Sequence, residues 1–384
     1  MIIGCLREIK NNENRVGLTP EGIKKLTSAG HQVIIQETAV NGAGYHDYEC
    51  QEAGAILEKE PIKIAEKCDI LVKVKEPLPE EYYLFEKMQD KTIFTYFHLS
   101  GVDPSLTKHL LKHNITAVAY ETVQDKKGRL PLLDPMSRIA GIAAIQYIAE
   151  LLQIKHGGRG RTCGFVPGTK QTNIMIVGGG VVGESAAKTA GGIGSKVKIF
   201  DINPNRVKEL QTILTEYLGP NLSKNVEVLV PSKENFDQAL KEADGLVGAV
   251  LVAGAKAPEV VNEQQVRSMK KGSVVIDVAI DQGGCIWGSH ATSHSEPSYE
   301  LEGTIYSAVP NIPGQFARQS TQALTNATLP YLLDMANQSP IEACKKDAGL
   351  MKGVNVHKGF ITYQSVAKDL GMEDKYKDIH ELIA

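Results

Sequence analysis

Residues 173–203 read NIMIVGGGVVGESAAKTAGGIGSKVKIFDIN, and this stretch decides the fold. An apolar run, Ile174 to Val177, meets Gly178, Gly179 and Gly180; after Val181 and Val182 a further glycine, Gly183, opens a helix-like segment. Gly178, Gly180 and Gly183 match G-x-G-x-x-G in the strand–turn–helix setting that gives the motif meaning. The first glycine permits a tight turn, the second admits a pyrophosphate to the backbone, and the third lets helix and strand pack closely, with the helix N-terminus facing the phosphates. The next apolar strand ends in Asp201, eighteen positions after Gly183, where a carboxylate accepts hydrogen bonds from the adenosine ribose hydroxyls. A dinucleotide site is therefore expected. The same carboxylate repels a 2′-phosphate, so NAD is expected over NADP. Arg206 follows five residues later, either softening that preference or standing as a solvated helix residue. Glu184 complements the helix dipole but would stand near a bound anion, and the sequence leaves that balance open.

Outward from this unit the alternation continues. KVKIFDIN, NVEVLV, GLVGAVL, SVVIDVAID and TIYSAVP are separated by helical stretches such as NRVKELQTILTEYL, which completes a doubly wound sheet of six strands. The first third repeats the grammar, with HQVIIQET, DILVKVKEP, KTIFTYFHL and ITAVAYETV as strands. Between two of its elements PEGIKKLTSAG reads as a helix capped by Thr19, started by Pro20 and ended by Gly30. A turn-rich segment, DKKGRLPLLDPMS, then marks a boundary. TQALTNATLPYLLDMANQ is expected as a helix interrupted by Pro330, and the residues after it are too few for another core, so they should pack back on the first domain. The expected domains are residues 1–133 with 308–384, and residues 134–307.

The 384 residues suit two or three domains. Apolar residues at 42% and charged residues at 23% describe a folded, soluble chain. With 42 basic against 45 acidic side chains and no basic run, nothing drives nucleic-acid binding. Six dispersed cysteines without a C-x-x-C pair fit neither a zinc site nor a disulfide scaffold; reduced thiols in a cytoplasm are expected. MIIGCLREIK turns charged by Arg7 without an apolar core of signal-peptide length, so export is not expected, and the apolar span Ile139 to Leu152 is too short to cross a membrane.

In a parallel sheet, ligands bind beyond the carboxyl ends of the strands. Lys75 and His98 are expected there, and Arg15 follows a polar turn near the N-terminus. Arginine grips a carboxylate with two parallel hydrogen bonds and lysine adds a compact charge, so a small carboxylate substrate is implied. Histidine moves protons near neutrality, which makes His98 a candidate acid/base. In SVVIDVAIDQGG, Asp281 is expected at a strand end with its carboxylate on the ligand-binding edge; Asp277, on the same face by two-residue periodicity, is expected to be structural.

Taken together, KNNENRVGLTP, LVKVKEP, FTYFHL, AYETVQ, GGRG, GGGVVG, GAVLVAGAKAP, DVAIDQGG and STQALTNATLPY resemble the alanine dehydrogenase family, which includes the NAD-binding component of proton-translocating transhydrogenase. The resemblance covers nearly the whole chain. It implies an α/β architecture of two doubly wound domains, a Rossmann NAD-binding domain and a Rossmann-like substrate domain with a cleft between them. The implied activity is reversible oxidative deamination of L-alanine by NAD to pyruvate, ammonium and NADH, by a cytoplasmic homohexamer without nucleic-acid or membrane partners. Carried to matching positions, Arg15, Lys75 and Asn311 bind substrate, and His98 and Asp281 are catalytic. Ser137, Gly178, Gly180, Val181, Val182, Gly183, Asp201, Arg206, Val250, Leu251, Val278, Ala279, Ile280, Asp281, Val309, Asn311 and Ile312 line the cofactor.

Four positions depart from the family pattern: Arg138 where an acid is usual, His290 in place of an arginine, Pro310 in place of a small residue, and Pro231 in place of a hydroxyl residue. Two other readings compete. A transhydrogenase-type component would pass hydride to a second nicotinamide and need a membrane partner. A non-catalytic NAD(H) sensor would need the glycine loop but not Lys75, His98 and Asp281 together.

Overall fold

The computed structural model describes residues 1–250 and 257–383. The chain divides into two compact units, one of residues 1–136 and 314–384, the other of residues 137–313.

The first unit carries β1 (Ile2–Cys5), β2 (Gln32–Gln36), β3 (Ile56–Glu58), β4 (Ile70–Val72), β5 (Thr92–Thr95) and β6 (Thr116–Ala119). The second carries β7 (Asn173–Val177), β8 (Lys196–Phe200), β9 (Val226–Leu229), β10 (Gly245–Gly248), β11 (Val274–Asp277), β12 (Tyr299–Leu301) and β13 (Thr304–Ser307). The chain then returns to the first unit with β14 (Val354–His357) and β15 (Phe360–Ile361). The sheets run β3-β2-β1-β4-β5-β6-β14-β15 and β9-β8-β7-β10-β11-β13-β12. Each therefore repeats the doubly wound order 3-2-1-4-5-6, parallel throughout those six strands, with antiparallel strands added at one edge. The order reverses between β1 and β4 in one unit and between β7 and β10 in the other. Crevices for ligands open at such reversals.

Period-two alternation explains why both faces of the second sheet are covered. Ile174, Ile176, Val197, Ile199, Val247, Val274 and Ile276 fill one core; Met175, Val177, Leu246, Val275 and Tyr306 belong to the other. Such strands read as continuous apolar runs because neither face meets water. In the first unit, the helix Pro20–Ser28 starts as its sequence dictates: Thr19 accepts a hydrogen bond from the Gly22 amide at 3.1 Å, Pro20 holds the first turn, and Gly30 leaves it at φ +87°.

Strands β1, β3, β12, β14 and β15 lie beyond those that the sequence pattern predicts. The expected interruption at Pro330 does not occur, since one helix runs from Ala317 to Gln338. Proline there forfeits one backbone bond, but the buried side chains Leu324, Leu329, Leu332 and Met335 anchor the helix on both sides of it. Asp281 likewise is not at a strand end. β11 stops at Asp277, and a 3₁₀ turn, Val278–Gln282, carries the chain onward, so two-residue periodicity does not link the two aspartates. Among the described residues, no helix is long and apolar enough to cross a membrane.

Candidate functional site

In the first unit, the neighbouring strands β1, β4 and β5 deliver their carboxyl ends side by side, followed respectively by the segments bearing Arg15, Lys75 and His98. A buried charge cluster ties two of these segments together. The Lys73 ammonium lies 3.1 Å from Glu8 and 2.7 Å from Glu81, all three side chains nearly inaccessible. Burial works against the lysine charge, but Glu8 and Glu81 hold it above its ordinary value. Burial also pushes the Glu8 carboxyl up, against the pull of Lys73. Glu8 further accepts the Val74 amide at 2.6 Å, which pins the backbone one residue before Lys75. The Lys75 ammonium stands 3.7 Å from Glu76, whose other oxygen takes Lys10 at 2.5 Å. Burial raises the Glu76 carboxyl, but Lys75 and Lys10 outweigh it and hold the group below the usual carboxylate range.

Arg15 is a buried group, 3% exposed, and not a surface charge. Glu13 grips its guanidinium with two parallel bonds, from Nε at 2.7 Å and Nη2 at 2.6 Å, and also accepts the Arg15 amide at 3.0 Å. Its Nη1 reaches Met136 Sδ at 3.1 Å. Burial opposes the charge, and Glu13 more than restores it.

His98 is exposed and sits at φ +48°, a left-handed conformation that costs a non-glycine residue about 1–2 kcal/mol. Glu121, in the turn after β6, holds it there. The carboxylate accepts the His98 amide at 2.6 Å and the Phe97 amide at 3.2 Å. The imidazole stacks on Tyr96, centroids 5.6 Å apart and planes within 3°. Tyr96 is buried and donates to the Leu132 carbonyl at 2.5 Å; burial pushes its phenol well up, with Arg15 pulling the other way. Tyr96 and His98 thus form a stacked pair, and the Arg15 charge acts on the Tyr96 phenol. Glu8, Glu13, Lys73, Tyr96 and Glu121 escaped the sequence reading. The only signal for four of them was their place inside NENR, LVKVKEP, FTYFHL and AYETVQ.

In the second unit the glycines do different work. Gly178 lies at φ +106°, and a Cβ there would stand 2.4 Å from the Ala249 carbonyl oxygen; one on Gly183 would stand 1.9 Å from that of Gly178. A Cβ on Gly180 would meet no protein atom within 4 Å. Gly180 is also the N-cap of the helix Val181–Gly192, without a side chain of its own to cap it. Open space before unpaired helix amides is what a phosphate requires. Asp201, just past β8, accepts the Gly179 amide at 2.8 Å through one oxygen and the Asn203 amide at 2.8 Å through the other.

The remaining positions distribute around this loop's unit. Val181 and Val182 are half-buried on the helix's first turn, and Val250 is half-buried beyond β10; Leu251 lies outside the described residues. Val278 is half-buried and Ala279 and Ile280 are buried in the 3₁₀ turn, whereas Asp281 is exposed. Val309 and Ile312 are buried, and Asn311 takes φ +61° between them. Ser137 lies one turn before Gly141, whose Cβ would come 2.2 Å from the Val182 carbonyl oxygen, so its helix meets the glycine-loop helix backbone to backbone. Asp277 is structural as expected: buried, it accepts the amides of Ala279, Cys285 and Ile286 at 3.1, 2.8 and 3.0 Å. His290 stacks on Tyr299 at 3.7 Å. Among the described residues, no cluster of His, Cys, Asp and Glu is arranged to hold a metal.

A doubly wound sheet with this glycine loop and acidic strand end defines the class of dinucleotide-binding Rossmann proteins. The chain belongs to the alanine dehydrogenase/PNT family: the N-terminal domain model of that family matches residues 4–140 and the C-terminal domain model residues 144–364. It is 46% identical to the alanine dehydrogenase of Methanococcus maripaludis over 369 residues, covering 96% of each chain. It is 44% identical to that of Bacillus subtilis over 374 residues, covering 97% of this chain and 96% of the relative. A solved structure of an L-alanine dehydrogenase superposes with a TM-score of 0.89 at 44% identity, covering 97% of this chain and 99% of the other.

Proposed function

We infer that the chain catalyses the NAD-dependent, reversible oxidative deamination of L-alanine: alanine, NAD and water give pyruvate, ammonium, NADH and a proton. The observation that carries this reading is full-length similarity to alanine dehydrogenases in a chain that keeps Arg15, Lys75 and His98 in the segments that follow three adjoining parallel strands. Residues 134–307 are assigned to NAD and residues 1–133 with 308–384 to the substrate.

The residues present fit the dinucleotide. Gly180 leaves room at the helix N-terminus, and Asp201 offers a carboxylate for ribose hydroxyls. Gly178, Gly183, Ser137, Val181, Val182, Arg206, Val250, Leu251, Val278, Ala279, Ile280, Val309 and Ile312 complete the assignment. NAD held there would supply the acceptor for a hydride from the substrate's α-carbon. Arg15 and Lys75 hold the substrate carboxylate, and Asn311 contributes to substrate and cofactor. Arg15, fixed by Glu13, presents a set geometry rather than a searching side chain, which lowers the entropy cost of orienting the substrate. His98 takes and returns the protons that water addition and ammonia departure require, and Asp281 supplies the second acid/base group.

The six cysteines are free and buried, which supports a cytoplasmic setting. A homohexameric assembly rests on the family resemblance. The reverse reaction tests the activity: NADH absorbance falls only when pyruvate and ammonium are supplied together. Stable absorbance with both present would overturn the assignment.

A further inference from the structure

The Gly179 backbone is gripped from two sides. Its amide donates to Asp201, and its carbonyl accepts Arg206 Nε at 2.7 Å. The same guanidinium gives Nη2 to Glu184 at 2.7 Å and Nη1 to Glu209 at 2.8 Å, so all three of its nitrogens are committed. Glu184 also takes Lys188 at 2.7 Å and stands 3.8 Å from Arg138. Glu209 is mostly exposed, where an ion pair is screened and weak. Glu184 is buried, and its hold on Arg206 is correspondingly firmer. Burial works against its charge, but Lys188 and Arg206 keep the carboxyl below the ordinary glutamate range, so it is ionised at neutrality.

We propose that Glu184 is a specificity-determining residue: by locking Arg206 onto the glycine loop it withholds the guanidinium from a 2′-phosphate and sharpens discrimination against NADP. This rests on the reading of the loop as an NAD site. Asp201 alone repels a 2′-phosphate, but an arginine five residues away is the usual means of accepting one. Here that arginine would have to break charge-assisted bonds to Glu184 before it reached the phosphate. The linked network balances three carboxylates (Glu184, Glu209, Asp201) against three cations (Arg206, Lys188, Arg138). Arg138, an acid in the family pattern, is thereby matched by Glu184. Removing the Glu184 charge leaves a positive excess beside the ribose.

The test compares dissociation constants for NADH and NADPH by nucleotide fluorescence in the full-length protein and in E184Q, R206Q and E184Q/R206Q. E184Q should lower the NADPH-to-NADH ratio about tenfold, the worth of one freed charge-assisted contact. That gain should vanish when E184Q/R206Q is compared with R206Q, and R206Q alone, which bares the Glu184 charge, should not lower the ratio. An unchanged ratio in E184Q, a gain that survives loss of Arg206, or a ratio that falls in R206Q alone would each overturn the proposal. Should E184Q fail to fold, E184D, which draws the carboxylate back from Arg206, is measured in its place with the same outcomes deciding. Failure of the unaltered protein to bind NADH would instead refute the NAD reading itself.

Discussion

Replacing Glu121 by alanine removes the group that holds His98 in its left-handed conformation. Two backbone amides, Phe97 and His98, lose a charged acceptor; at about 1.5–3 kcal/mol for each such bond, about 3–6 kcal/mol of restraint disappears. The opposing strain at φ +48° is worth about 1–2 kcal/mol and is released when the backbone relaxes toward extended geometry. His98 then leaves its place against Tyr96, and misplacement on the ångström scale costs a catalytic group up to about 100-fold. Initial rates of NADH formation should therefore show kcat down about 10- to 100-fold in E121A. E121Q, which keeps one acceptor oxygen, should fall between E121A and the unaltered enzyme. NADH affinity, assigned to the glycine loop, should hold in both. A general loss of packing would instead lower NADH affinity and melting temperature along with kcat. An E121A kcat indistinguishable from the unaltered value would refute the positioning argument.

Three further outcomes follow from the geometry. Gly180→Ala should leave the melting temperature unchanged, because the new Cβ meets no protein atom, but should weaken NADH binding at least about tenfold; Gly183→Ala, with its Cβ 1.9 Å from a carbonyl oxygen, should fail on stability first. Equal NADH affinity in Gly180→Ala would mean that no phosphate approaches there. Burial, with help from Lys358, lowers His357 from 6.5 to about 4. The unfolded chain thus takes up that proton before the folded one does: the contribution is fully present above pH 6.5 and is lost as pH falls toward 4. At about 1.4 kcal/mol per unit it amounts to about 3 kcal/mol, so His357→Gln should flatten the fall of melting temperature across that window; an identical slope would exclude His357. Burial also pushes the thiols of Cys5, Cys50, Cys68 and Cys344 up to about 12 and that of Cys163 to about 11. A thiol reagent at pH 8 should label the native protein slowly and all six cysteines after denaturation; rapid native labelling would contradict their burial.

The glycine loop was legible because each requirement there is local: a turn needs Gly178, a close helix needs Gly183, and strand periodicity places Asp201 at the edge. Lys75 and His98 were legible for the same reason, since a strand's end announces itself in its apolar run. Asp281 was misplaced by one turn because the apolar run VVIDVAI hides the point where strand gives way to 3₁₀ turn. Pro330 misled because tertiary burial on both sides of a helix outweighs one missing backbone bond. Glu121 was invisible for a different reason. Its partners are backbone amides more than twenty residues away, and no side-chain pattern records a bond to a main chain. The lock of Glu184 on Arg206 is likewise set by the juxtaposition of two helices.

The most direct measurement mixes the purified protein with NAD and, in separate samples, L-alanine, other amino acids or no substrate, and follows NADH absorbance. The account predicts a rate largely confined to L-alanine and lost in His98→Ala while NADH binding persists. No NADH from any amino acid, with NADH still bound, would contradict it.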